Sequence, residues 1–142
     1  MKRKTNWIAI LVAVGAAMFI GFLWYGVFFN EQWMAANGFT LQGEKMFKNG
    51  QEIPMNPTPM VVNVIAMAVY ALVLNWLFGK MNVSTWQTGA VIGASIGLLM
   101  FLGVLTGHMF AMRPSILITV DGSYAFVLFT VIGAIVGGWT KK

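Results

Sequence analysis

The sequence predicts an all-α integral membrane protein, a four-helix transmembrane bundle. Composition is the first reason: of 142 residues, 58% are apolar and 9% charged, where an ordinary soluble domain is about a quarter charged. Patterning is the second. Four apolar runs occupy about 7–29, 60–79, 87–110 and 115–139, and about 20 apolar residues suffice to cross a bilayer. Glycine is the third, because the 16 present suit membrane helices better than soluble ones. Residues 1–142 read as a single transmembrane domain.

Met1 to Lys4 is a basic cap, and Trp7 to Phe29 follows without a charge. A cleaved signal peptide is the rival reading, with Gly15, Ala16 and Ala17 as small residues near a cut. The run continues to Phe29, longer than a signal's apolar core, which favours a retained anchor. Residues 30–59 are the one sizeable polar stretch and carry Glu31, Glu44 and Glu52. Asn30 is placed to cap a short helix, EQWMAAN, closed by Gly38, with Trp33 at headgroup level. Asn49-Gly50 marks a turn, and Pro54, Pro57 and Pro59 exclude regular helix before the next span. The expectation is an outward-facing ordered loop with one interfacial turn of helix, too short to fold as a domain.

The second span, Met60 to Gly79, contains Asn63, Tyr70 and Asn75, and residues 80–86 link it to the third. The third, Gln87 to Phe110, holds Gly89, Gly93 and Gly97, then Gly103 and Gly107. Glycines four apart share a helix face and let a neighbouring backbone approach closely. Ala13, Ala17 and Gly21 repeat the spacing in the first span, and Gly133 and Gly137 in the fourth. These read as packing seams, with self-association into a homo-oligomer as a second use for the faces on spans three and four. Residues 111–114 leave room only for a hairpin. Asn75, Trp76 and Trp86 read as an interfacial belt on the inner side.

Four spans put both ends of the chain on one side. If that side is the cytoplasm, Lys2, Arg3, Lys4, Lys80, Lys141 and Lys142 lie inside, against Lys45, Lys48 and Arg113 outside. This asymmetry favours cytoplasmic termini. The net charge of +5 is thus spent on anchoring and orientation, and no basic stripe for nucleic acid is present.

Polar groups gather toward the outer ends of the spans. Asp121 lies about 9 Å into the fourth span at 1.5 Å per residue, where an ionisable group costs roughly 2.5–3.5 kcal/mol on insertion scales. Tyr124 shares its helix face. His108 lies near the outer end of the third span, Asn63 of the second, and Trp24 and Tyr25 of the first. One reading is an ionisable cluster lining a pocket or pathway. The other is a polar network that holds helices together, with Asp121 accepting from Tyr124, Asn63 or Arg113. His108 and Asp121 differ in depth by about a turn or less, so a direct pair is open and so is a bridge through water. For Trp24 and Tyr25 an interfacial belt is the stronger reading.

Several chemistries are excluded. There is no cysteine, and one histidine with one buried carboxylate cannot supply the three protein ligands of a catalytic zinc. The glycines lie in helices and precede no Lys-Ser or Lys-Thr pair, so no nucleotide loop is present. The 11 methionines read as adaptable packing, with Met109 and Met112 beside His108 as the one hint of a copper path. No cofactor is expected. A nucleophile–base pair is absent, which argues against an enzyme.

Asn6-Trp7 before the first span, the block LWYGVFFNEQWM from Leu23 to Met34, and the ending GAIVGGW from Gly133 to Trp139 resemble a family of small bacterial membrane proteins, domain of unknown function family 1761. Trp24, Tyr25, Gly26, Trp33, Gly133 and Trp139 match its pattern. The resemblance implies a four-span inner-membrane protein with no established activity. Two functions follow as expectations: an outward-facing polar pocket, centred on Asp121 with His108, Tyr124 and Asn63, that binds or passes a small solute or proton; or an accessory subunit that recognises a membrane protein partner through glycine-rich faces.

Overall fold

The computed structural model describes residues 4–140. Lys2, Arg3, Lys141 and Lys142, four of the six basic residues assigned to the inner side, lie outside that range. Four long helices dominate: α1 (Trp7–Phe22), which continues as a π-helical segment (Leu23–Phe28), α3 (Thr58–Met81), α4 (Trp86–Phe110) and α5 (Ser115–Gly138). Each is long and apolar enough to cross a membrane, so the chain is a multi-pass membrane protein, all-α in its spans. A short helix, α2 (Asn30–Ala36), and three strands, β1 (Phe39–Gln42), β2 (Lys45–Lys48) and β3 (Gln51–Ile53), fill the connection between α1 and α3.

The helices begin where their end groups find partners. Asn6 caps α1, its Oδ1 accepting from the amides of Ile8 and Ala9 at 3.2 and 3.4 Å, and its Nδ2 donates to the Trp139 carbonyl at 3.2 Å. One asparagine therefore closes the start of the first span and ties it to the end of the last. Thr85 caps α4 by accepting from the Thr88 amide. Helix α3 starts at Thr58 and takes Pro59 into its first turn. A proline there removes only an amide that has no intrahelical acceptor, so Pro59 opens the span instead of delaying it.

Helix α5 is the centre. It packs against α1, α3 and α4, whereas α4 packs almost entirely on α5. The apolar core joins α1, α3 and α5 through Ile10, Ala13 and Ala17, Met67, Leu74 and Phe78, and Leu128, Ile132 and Val136. Asn75, expected in an interfacial belt, is instead buried in this core and donates from Nδ2 to Thr5 Oγ1 at 3.3 Å. Buried amides need such partners. Trp76 and Trp86 remain exposed at that end.

Helix α4 is held by glycine. A β-carbon on Gly89 would strike the Gly133 carbonyl, one on Gly93 the Phe129 carbonyl, and one on Gly97 would lie 2.8 Å from Phe126 Cα. Gly133 and Gly137 return the contact from α5, and Gly122 takes the ring of Phe101. The two backbones touch along this line, where dispersion and close packing replace the hydrophobic drive that lipid does not supply. Gly103 and Gly107 correct the expectation, because a β-carbon on either would meet nothing within 4 Å. They lie on the exposed face of α4, while Phe101, Val104, Leu105 and His108 continue the face turned toward α5.

The segment 30–59 departs further from expectation. Asn30 is the first residue of α2 and not its cap; Phe29 holds that position. The strands form an antiparallel sheet in the order β1-β2-β3. Two-residue turns connect them, since Gln42 pairs with Lys45 and Lys48 with Gln51. Asn49 and Gly50 both have positive φ, 51° and 83°, as a type I′ hairpin requires. Phe39, Leu41, Met46 and Ile53 fall on one face by this register and line a hollow of about 720 Å³ with Pro54 and Pro59.

Gly38 locks this sheet to α2. Its φ is 73°, and a β-carbon there would overlap Asn49 Oδ1. Gly38→Ala is expected to cost more than about 1 kcal/mol locally, because alanine is strained at positive φ. Limited proteolysis within residues 39–53 should accelerate while the helical circular dichroism of the spans holds.

Candidate functional site

The end of the bundle away from Asn6 and Trp139 is built by the π-helical segment. Its wider turn is closed by the Phe29 amide donating to the Trp24 carbonyl at 2.9 Å, five residues back. Such bulges are rare and occur often at functional sites. Here the segment turns two neighbouring side chains toward α5. Trp24 Nε1 donates to the Val120 carbonyl at 3.0 Å and contacts Ser123 Oγ at 3.3 Å. Tyr25 Oη donates to Asp121 Oδ1 at 2.9 Å. Both side chains are half-buried and bonded to α5 rather than free at the surface. Asn30 Nδ2 donates to the Tyr25 carbonyl at 2.9 Å, which satisfies a group the segment leaves open.

Asp121 has a second partner. His108 Nε2 lies 2.8 Å from Asp121 Oδ2, although the two residues start at different depths. Side chains lean toward the N-terminus of their helix. The N-terminus of α4 is at the end near Asn6 and Trp139 and that of α5 at the opposite end, so His108 leans toward the middle of the bundle and Asp121 toward the α4–α5 hairpin until they meet. Their side chains are 16% and 20% exposed, so the pair is sheltered without being sealed. Each carboxylate oxygen thus holds one neutral or charge-assisted hydrogen bond and keeps a lone pair free.

The other proposed partners of Asp121 stand apart. Tyr124 meets Tyr25 edge to face, with centroids 5.0 Å apart, and its hydroxyl lies against Gly21, where a β-carbon would sit 3.3 Å away. Asn63 Nδ2 approaches Met18 Sδ at 3.5 Å, a weak acceptor. Arg113 makes no ion pair among the described residues and is exposed, so it does not snorkel to the acid. Trp33, expected at the headgroups, is half-buried against Tyr25 at 5.6 Å and stacks on Phe39 at 5.5 Å and 11°. This ladder of rings roofs the site and joins it to the sheet.

A cleft of about 320 Å³ runs inward from Asp121. Its floor is α5, its walls are α3 and α4, and it exists because those two helices barely touch. Tyr25, Asp121 and Tyr124 stand at the end nearer the α4–α5 hairpin; Tyr70 and Phe129, with ring centroids 4.9 Å apart, stand at the other end. Asn63 is on the α3 wall, so the cleft gathers Asp121, Tyr25, Tyr124 and Asn63. His108 touches only the far side of the acid, and Trp24 is excluded. Tyr70 and Phe129 were not read as site residues, since nothing in their spacing separates a cleft-lining ring from a core one. Among the described residues no three metal-binding side chains converge, and Met109 and Met112 are exposed.

The residues that carried the family resemblance are those that build this end and tie the other: Trp24, Tyr25 and Trp33 at the site, Gly133 in the glycine seam, Trp139 bound by Asn6. Comparison with curated proteins and with solved structures found no match. The family model described as "Protein of unknown function (DUF1761)" matches residues 8–137. That is nearly the whole chain and reaches into all four spans, and the protein belongs to this family of proteins of unknown function.

Proposed function

We propose that this is a non-enzymatic membrane protein whose outward-facing pocket binds or passes a proton or small solute, with Asp121 as its ionisable centre. The observation that carries the reading is the setting of Asp121. A carboxylate at membrane depth, bonded to one phenol and one imidazole, borders an open cleft, and intramembrane acids so placed mark ion and proton paths. His108 is the group through which a proton reaches or leaves the acid, its Nε2 lying 2.8 Å from Asp121 Oδ2. Tyr25 orients the carboxylate, and Trp24 fixes the segment that presents Tyr25. In this proposal the protein resides in a bacterial inner membrane with both ends in the cytoplasm, so that the site faces outward. The free faces of Gly103 and Gly107 on α4 favour a second reading, a homo-oligomer or an accessory subunit, since Gly89, Gly93 and Gly97 are already occupied by α5.

Infrared difference spectra of the protein in bilayers, recorded as the external pH is stepped, test the first reading. Wild type should gain a protonated-carboxyl band that Asp121→Asn lacks, the three glutamates contributing equally to both. The reading fails when the two difference spectra coincide at every pH where the fold survives.

A further inference from the structure

We infer that the cleft takes a lipophilic organic cation, an alkylammonium ion entering sideways from the bilayer, with its charged head against Asp121 and its hydrocarbon laid along α5 toward Phe129. This rests on the reading of Asp121 as a binding centre and names the ligand class for it. Three features of the cleft carry it.

The first is polarity along the axis. Asp121 and Phe129 are eight residues apart, which is about 12 Å of helix. The acid lies at the hairpin end of that length, while Ala66, Met67, Met100 and Leu128 line its apolar part. An amphiphile partitioned in the outer leaflet already has this orientation, head outward and chain inward. The second is the chemistry at the head. Tyr25 and Tyr124 line the same end of the cleft as Asp121, and aromatic rings together with an acid are what a desolvated ammonium ion prefers. Phospholipid is disfavoured at the same place. No lysine or arginine lines the cleft among the described residues, so a phosphate would face Asp121 without a counter-charge. The third is access. Helices α3 and α4 are held apart by their separate packing on α5, so the cleft opens between them toward lipid. Its volume of about 320 Å³ falls at the lower end of small-molecule sites, and methionine walls adapt to chains of differing shape.

A proton and an ammonium ion then compete for one carboxylate. The groups facing it are Tyr25 from the first span, His108 from α4 and Tyr124 on its own helix, with Asn63 and Tyr70 further along the α3 wall.

The test uses labelled octyltrimethylammonium and the full chain in phosphatidylcholine nanodiscs, with partition into empty nanodiscs subtracted. Wild type should show saturable binding at one site per chain, unaffected by octyl sulfate. Asp121→Asn should bind about ten-fold more weakly or less, the scale of losing the ion's counter-charge. Ala66→Leu, which narrows the cleft from the α3 side, should weaken binding with helical circular dichroism retained. Saturating cation should also suppress the protonated-carboxyl infrared band of Asp121. Binding no greater than to empty nanodiscs overturns the inference, as does equal affinity for wild type and Asp121→Asn. An intact Asp121 band without saturable cation binding overturns it while leaving the proton site standing. Saturable, Asp121-dependent cation binding without the band supports it and removes the proton from the reading.

Discussion

Gly93→Leu is expected to lower the melting temperature in detergent by about 10 °C, among the largest effects of a single substitution in the spans. The obstacle is backbone: a β-carbon on Gly93 runs into the Phe129 carbonyl, and Gly133 Cα lies 3.2 Å away. A side chain in the way could rotate, but a helix carbonyl cannot, so α4 must back away from α5. Doing so opens the neighbouring contacts of Gly89 and Gly97 as well. Overpacking typically costs about 1–3 kcal/mol, and this geometry belongs at the top of that range. At about 2–4 °C per kcal/mol for a chain somewhat larger than this one, the shift reaches about 10 °C. Helix α4 has no second partner of consequence, so nothing compensates. Scanning fluorimetry reads the result directly. Gly107→Leu is the internal control: its glycine meets nothing within 4 Å, so its stability should match wild type within about 0.5 kcal/mol. Equal melting temperatures for Gly93→Leu and Gly107→Leu would remove the seam as the source of α4 docking.

That contrast also shows what the sequence disclosed. Lipid imposes length and apolarity on any span, so four spans were legible to within a few residues. The small-residue period is likewise imposed by close approach, which made Gly89, Gly93, Gly97, Gly133 and Gly137 legible. Gly103 and Gly107 have the same four-residue period but sit six and ten residues after Gly97, on another face of α4, so they do not extend the seam with α5. Gly122 was missed for the opposite reason: it receives a ring, Phe101, and belongs to no four-residue series. The sheet was hidden because strands of three and four residues carry too few positions to show alternation, although Asn49-Gly50 announced one of its turns. At the site, the acid and its histidine were legible as rare groups at similar depth. Tyr25 was legible as a member of the polar cluster, but its bond to the acid was not, since that bond is set by a π-helical turn that no residue pattern encodes.

Asp121→Leu is expected to be the most damaging change at the site, and Asp121→Asn among the mildest in stability. Leucine leaves Tyr25 Oη and His108 Nε2 facing an apolar group, with both oxygens that now lie 2.9 and 2.8 Å from them gone. Removing one member of a buried pair costs about 3–5 kcal/mol; partial exposure of His108 and Asp121 puts this case at about 3. Asparagine behaves differently. Its carbonyl still accepts from Tyr25, and its amide can donate to a neutral His108, so the loss should be about 1 kcal/mol, the net worth of one hydrogen bond. Asparagine cannot carry a proton or a charge. The two substitutions therefore separate what Asp121 holds together from what it binds. A scaffold role makes melting temperature and ligand readouts fall in parallel across the series wild type, Asn, Leu. A binding role makes Asn lose the carboxyl band and cation affinity while its melting stays near wild type. A double-mutant cycle between Asp121→Leu and His108→Ala should give a coupling of about 1–3 kcal/mol, as contacting residues do, whereas pairing Asp121→Leu with the exposed Arg113→Ala should be additive within about 0.5 kcal/mol. Zero coupling to His108 would mean that the imidazole and the acid do not meet in the membrane, and the path by which a proton reaches Asp121 would have to run through Tyr25 or the cleft instead.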